Sequence, residues 1–174
     1  MEPKALLSRA LDALAGTYDI TPGATILSRQ VDALAQLRAL NSKYVLTKKH
    51  VLWEANAFEH ALFLCEDSLS EETARDWYTF LTREAEPELV HPGKPCPDEG
   101  HMYTDLTLIF LCKDVQEDAQ RFIQRAKFTK NYRFSLRGWA TARLLAVDLS
   151  RGTVVTNAAA KELRPLFTKL ARDA

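Results

Sequence analysis

Glycine is the first shortage. Six glycines in 174 residues leave no Walker loop, no Gly-x-Gly-x-x-Gly and no Gly-x-Ser-x-Gly, so a glycine-built phosphate cradle is excluded. Cysteine is scarce as well. Cys65, Cys96 and Cys112 form an odd count without paired spacing, which argues against a disulfide framework and for a reducing cytosol. Cys65 and Cys112 close the apolar runs Ala61–Cys65 and Leu108–Cys112 and read as small buried hydrophobes. No apolar run approaches the ~20 residues of a membrane span. The opening helix carries Arg9 and Asp12, so no signal peptide is read there. A cytoplasmic protein without a membrane partner is expected.

Net charge is absent too, but only in the sum. Residues 54–118 hold 4 Lys/Arg against 16 Asp/Glu, a net of −12. Residues 119–174 hold 12 against 3, a net of +9, and residues 1–53 contribute +3. Such sorting marks an anion-binding surface or two parts of a fold that attract each other.

A hydrophobic content of 47% with 26% charged residues is that of a globular chain. A chain of this length buries roughly 70% of its unfolded surface, enough for a core without staples. One domain over 1–174 is expected, with a helix and linker over 1–23 and a sheet-and-helix core over 24–174.

Leu6, Leu7, Ala10, Leu11 and Leu14 at helical spacing predict a helix over 4–15, followed by a turn or linker at Thr21-Pro22-Gly23. Residues 28–39 alternate apolar and polar as a strand does, against the helix preference of their alanines. Strands are predicted over 43–53 and 58–66, with a tight turn at Asn56-Ala57. Ser70 caps a helix that ends near Glu86, before Pro87. A Pro/Gly-rich loop over 91–100 leads to a central strand over 104–112 and a helix over 115–128. Residues 131–148 alternate as one long strand. Eighteen residues extended span ~60 Å, so a bend or bulge is expected at Gly138. A short return strand and a last helix over 158–171, capped by Asn157, complete the chain. The fold class is α+β: a mixed sheet of five to six strands, parallel at the centre and antiparallel at the edges, with helices packed on it.

The long strand supplies the candidate site. Its odd positions place Arg133, Arg137, Trp139 and Arg143 on one face, where guanidinium forks and an aromatic ring suit an anionic ligand. The competing reading pairs these arginines with carboxylates on adjacent strands, such as Asp105. The acidic middle segment counts against nucleic acid as the ligand. His91, Cys96 and His101 are the one metal-like cluster, but a structural zinc site needs four ligands, so no metal or other cofactor is expected. His50 and His60 lie on neighbouring strands and read as packing residues. No catalytic residue is assigned.

The αβββαβ order at the start of the chain is similar to the core of restriction-endonuclease-like nucleases. That resemblance implies an Asp on one strand and a Glu-x-Lys on the next, holding a divalent cation. Here the text is Glu59-His60-Ala61, and Lys48-Lys49 would have to take over the lysine role. A divalent-metal-dependent nuclease-like hydrolase is therefore the alternative function. Three further segments carry a second resemblance: Lys43-Tyr44-Val45 with Trp53-Glu54; Asp67 to Glu72; and Leu136-Arg137-Gly138-Trp139 with Val147-Asp148-Leu149 and Thr156-Asn157. The chain resembles an uncharacterised bacterial family of single-domain proteins, which implies no cofactor and no catalytic residue. The expected function is a non-catalytic binding domain whose basic–aromatic strand face meets an anionic ligand or an acidic protein partner, including a second copy in a homodimer.

Overall fold

A computed structural model describes residues 1–44 and 51–172, with side chains described outside 40–54. Helix α1 (Pro3–Leu14) starts on a proline, whose missing N–H is not needed in a first turn, and buries Leu6 and Ala10. Strand β1 (Asp19–Pro22) follows, so the segment read as leading into a linker is an edge strand. The small hairpin of β2 (Thr25–Ile26) and β3 (Arg29–Gln30) precedes β4 (Ala33–Tyr44) and β5 (Val51–Leu69). Strand periodicity therefore prevails over alanine's helix preference in β4. Ala33 and Ala35 pack under one face of the sheet, and Leu34 packs on the other.

Asn56 and Ala57 lie inside β5, paired with Leu40 and Ala39, and are not the predicted turn. Residues 45–50, and with them His50 and Lys48-Lys49, lie outside the described residues. Ser70 caps helix α2 (Glu71–Phe80), its hydroxyl accepting from the Thr73 N–H at 3.1 Å. Pro87 does not stop this helix. A single π turn over Leu81–Ala85 shifts the bonding so that the Glu86 N–H reaches the Leu81 carbonyl, and Pro87 falls in the first turn of α3 (Glu86–Val90).

Strand β6 (His101–Val115) and α4 (Glu117–Arg125) follow. The predicted single strand over 131–148 is a hairpin instead. Strand β7 (Thr129–Asn131) turns back through 132–138 and pairs antiparallel with β8 (Trp139–Asp148), Asn131 opposite Trp139. Arg133, Phe134 and Ser135 take left-handed φ of 47°, 54° and 67°, and this reverses the chain where alternation predicted extension. A 3₁₀ turn over Ala158–Leu163 and helix α5 (Arg164–Arg172) follow β9 (Thr153–Thr156).

The main sheet has seven strands in the order β1-β4-β5-β6-β8-β7, with β9 also on β8. β5, β6 and β8 run parallel at its centre, and the outer pairings are antiparallel, as the composition of the strands implied. One face carries Leu62, Leu64, Leu106, Leu108, Phe110 and Leu144 against α2, α4 and the β2–β3 hairpin. The other carries Phe63, Ile109, Leu111, Leu145 and Val147 against α1 and α5. Among the described residues no helix is long and apolar enough to cross a membrane.

Candidate functional site

The hairpin takes Arg133 and Arg137 out of the strand, so the four-residue face is not formed, while Trp139 and Arg143 keep one side of β8. Arg143 is 3% exposed. Its Nη1 lies 3.1 Å from Glu59 Oε1 and 2.8 Å from Asp105 Oδ2, and its Nη2 lies 2.8 Å from Glu162 Oε1. Tyr18 donates its hydroxyl to Glu59. Burial holds the Asp105 carboxyl above the usual carboxylate range although Arg143 pulls the other way, and burial beside Glu59 raises the Tyr18 phenol. A guanidinium thus fills the position between Glu59 and Asp105. The pairing with Asp105 is the one the competing reading anticipated.

Arg137 sits in the turn, with Nη2 3.0 Å from Glu99. Trp139 stacks on Tyr103 across β8 and β6, ring centroids 6.1 Å apart. Arg133 lies at the tip of the turn and joins no ion pair among the described residues. The sorted charge is largely spent inside the molecule: Lys130 meets Glu86, Arg137 meets Glu99, Arg143 meets Glu59 and Asp105, and Arg151 meets Asp114 and Asp148.

His91 and His101 come together, but around a tyrosine. Each ring meets Tyr132 edge-on, at 5.5 Å and 5.9 Å. His101 Nδ1 donates to the Arg137 carbonyl at 2.7 Å, which leaves Nε2 to accept from the Thr104 hydroxyl at 2.8 Å. Burial lowers the His101 pKa. His91 Nδ1 donates to the Lys94 carbonyl at 2.6 Å, and its Nε2 faces Glu86 at 3.4 Å. Buried Glu86 also takes the Tyr132 hydroxyl and the Lys130 ammonium. This knot ties the 91–100 loop to β6 and β7. Among the described residues no three His, Cys, Asp or Glu side chains converge as metal ligands do.

The open ground lies elsewhere, along β4 and β5. Two cavities of about 380 Å³ and 190 Å³ adjoin and share Arg38, Phe58 and Val90. Register pairs Arg38 with Phe58 and Gln36 with His60, so strand alternation turns all four toward α3 and the 91–100 loop. The Arg38 guanidinium lies 5.7 Å over the Phe58 ring, and its Nη2 donates to Asn56 Oδ1 at 3.3 Å. His60 is 8% exposed. Burial pushes its pKa down to about 4, so it is neutral at pH 7 and its Nδ1 accepts from the Gln36 amide at 2.9 Å. Of the acids on the rim, Asp98 is answered by Lys94 at 2.6 Å and Glu99 by Arg137, while Asp19 beside the larger cavity joins no ion pair among the described residues. Arg38 has no carboxylate partner among the described residues.

Sequence reasoning missed Arg38 and Phe58. Alternation assigns each to a face of its own strand, but the β4–β5 register that sets Arg38 opposite Phe58 is not written in either strand's own pattern.

A family model described as Domain of unknown function (DUF8052) matches residues 2–169. The chain belongs to this family. Membership agrees with the resemblance to an uncharacterised single-domain family, and the DUF8052 match spans every helix and strand from β1 to β9. No curated protein and no solved structure matches the chain.

Proposed function

We propose that this chain is a non-catalytic binding domain that takes an extended acidic peptide from a protein partner along the β4 edge. The observation that carries the reading is the place where β1 stops. Asp19 pairs with Gln36 and β1 covers nothing further along β4, and the cavity beside Arg38 opens at that point.

The backbone there is ready to pair. Pro22 stands opposite Ala33 and has no N–H to give, which puts the hydrogen-bonded pairs at Thr21–Leu34 and Asp19–Gln36. By the two-residue period of a strand, Arg38 turns its own N–H and C=O to the same side, beyond the end of β1. Among the described residues no strand pairs with it there. An added strand would gain main-chain bonds from this edge. Arg38 would supply a fork for a carboxylate, and Phe58 an apolar wall.

Selection from a random peptide library tests the reading. Retained peptides are expected to be rich in Asp and Glu alternating with apolar residues. Arg38→Glu is expected to abolish their binding and to retain Lys/Arg-rich peptides instead. Peptides without acidic bias, or equal retention by both proteins, would overturn it.

A further inference from the structure

We propose that the tip of the β7–β8 hairpin is a docking finger for an anionic lipid surface. This inference is independent of the β4 groove. Phe134 is 100% exposed and Leu136 83% exposed, in a protein whose other large side chains are mostly covered. Both stand on one turn, and that turn is built rather than slack. The Arg137 N–H bonds the Tyr132 carbonyl at 3.1 Å, the Tyr132 N–H bonds Gly138 at 3.0 Å, and the Leu136 N–H bonds Arg133 at 3.0 Å. Ser135 Oγ donates to Asn131 Oδ1 at 3.0 Å, and His101 fastens the Arg137 carbonyl. Three successive non-glycine residues in the left-handed region are an unfavourable arrangement that the surrounding bonds enforce. It holds Phe134 away from the core.

Charge identifies the occupant. Residues 119–147 contain seven Lys/Arg and no Asp/Glu; Arg121, Lys130, Arg137 and Arg143 are ion-paired within the protein, and Arg125, Lys127 and Arg133 have no ion-pair partner among the described residues. Arg133 directly precedes Phe134 and has no ion-pair partner among the described residues. A convex tip with two apolar side chains is too small for a protein interface, which needs roughly 800 Å² from each side. A bilayer accepts such a wedge. Phe134 and Leu136 would enter the interfacial layer while Arg133, with Lys127 at the base of the hairpin, would meet the phosphate and carboxylate headgroups.

Co-sedimentation of the full chain with vesicles tests this. Vesicles of phosphatidylcholine alone are compared with vesicles holding about 30 mol% phosphatidylserine, at about 50 mM and about 500 mM salt. Wild type is expected to pellet with the anionic vesicles at low salt and to be released at high salt. The double substitution Phe134→Ser and Leu136→Ser is expected to weaken pelleting by about tenfold or more, with an unchanged thermal melt because both side chains are exposed. Arg133→Gln is expected to give an intermediate loss. Wild type that ignores anionic vesicles, or a double variant that pellets equally, overturns the proposal. If vesicles are ignored while sedimentation velocity shows a dimer that the double variant lacks, the finger docks on a second copy and the lipid reading falls.

Discussion

Arg143 and Glu59 meet at 3.1 Å although 84 residues separate them in the chain. β6 stands between their strands and adds Asp105 to the same guanidinium nitrogen. One buried cation therefore clamps the three parallel strands at the centre of the sheet. Its Nε is buried without a hydrogen-bond partner, so the clamp is held by the two terminal nitrogens.

Removing the cation leaves Glu59 and Asp105 facing each other in a half-buried site. Arg143→Gln is expected to cost about 3–5 kcal/mol of unfolding free energy in urea titration. Arg133→Gln is expected to stay within about 0.5 kcal/mol. Adding Asp105→Asn to Arg143→Gln should recover part of the loss. Equal, small effects of the two arginine substitutions would show that Arg143 is not a structural ion.

Gly138 closes the hairpin turn at φ +73°, and a Cβ there would stand 2.1 Å from the Met102 carbonyl oxygen. Both the conformation and the contact exclude a side chain. Gly138→Ala is expected to destabilise by about 4 kcal/mol or more and to disturb the amide resonances of residues 101–103 and 132–139. A substituted protein that melts with wild type would contradict this close approach.

Asn157 occupies the gap on the outer side of β8 between β7 and β9. Its Oδ1 accepts from the Leu144 and Ala160 N–H groups at 3.1 Å each, and its Nδ2 donates to the Ala126 and Ala142 carbonyls at 3.2 Å and 3.0 Å. Asn157→Ala strands the Leu144 N–H and the Ala126 and Ala142 carbonyls in a site only 1% exposed, while the Ala160 N–H keeps the Asn157 carbonyl at 3.3 Å. The expected loss is about 2–4 kcal/mol, with faster hydrogen exchange at Leu144 and Ala160. Asn157→Asp keeps the two accepted bonds, loses the two donated ones, and should also destabilise.

His60 predicts an acid limb of stability. Its pKa falls from 6.5 in the unfolded chain to about 4 in the fold, so the unfolded state binds more protons between those values. Stability is then full above about pH 6.5 and lost as pH falls toward about 4, by up to about 3 kcal/mol. His60→Asn keeps an acceptor for Gln36 and does not titrate. Urea midpoints for the variant should be flatter than wild type across this window, and parallel curves would refute the assignment.

Much of the fold is legible in the primary structure because it rests on local pattern. Residues 33–39 form a strand since their apolar positions recur every second residue, and Ser70 begins a helix since its hydroxyl serves the free N–H groups after it. Patterns with two readings mislead. Alternation over 131–148 is the same whether the chain runs on or reverses at Arg133–Ser135, and contacts from outside the segment, Gly138 against Met102 and His101 on the Arg137 carbonyl, accompany the reversal. Pro87 looks like a stop until a π turn places it at a new helix start.

The amino-acid sequence by itself determined the fold class, the strand over residues 33–39, the helix start at Ser70 and the segregation of acid from base, because spacing, caps and composition act within a few residues of each other. Only the tertiary structure decided that this segregation is largely spent inside one molecule, that Arg143 is a buried clamp, and that Arg38 lies over Phe58 beside an open strand edge. Those outcomes depend on strand register and on contacts between residues far apart in the chain. Coulombic attraction and burial act on distances in space, which no local pattern records.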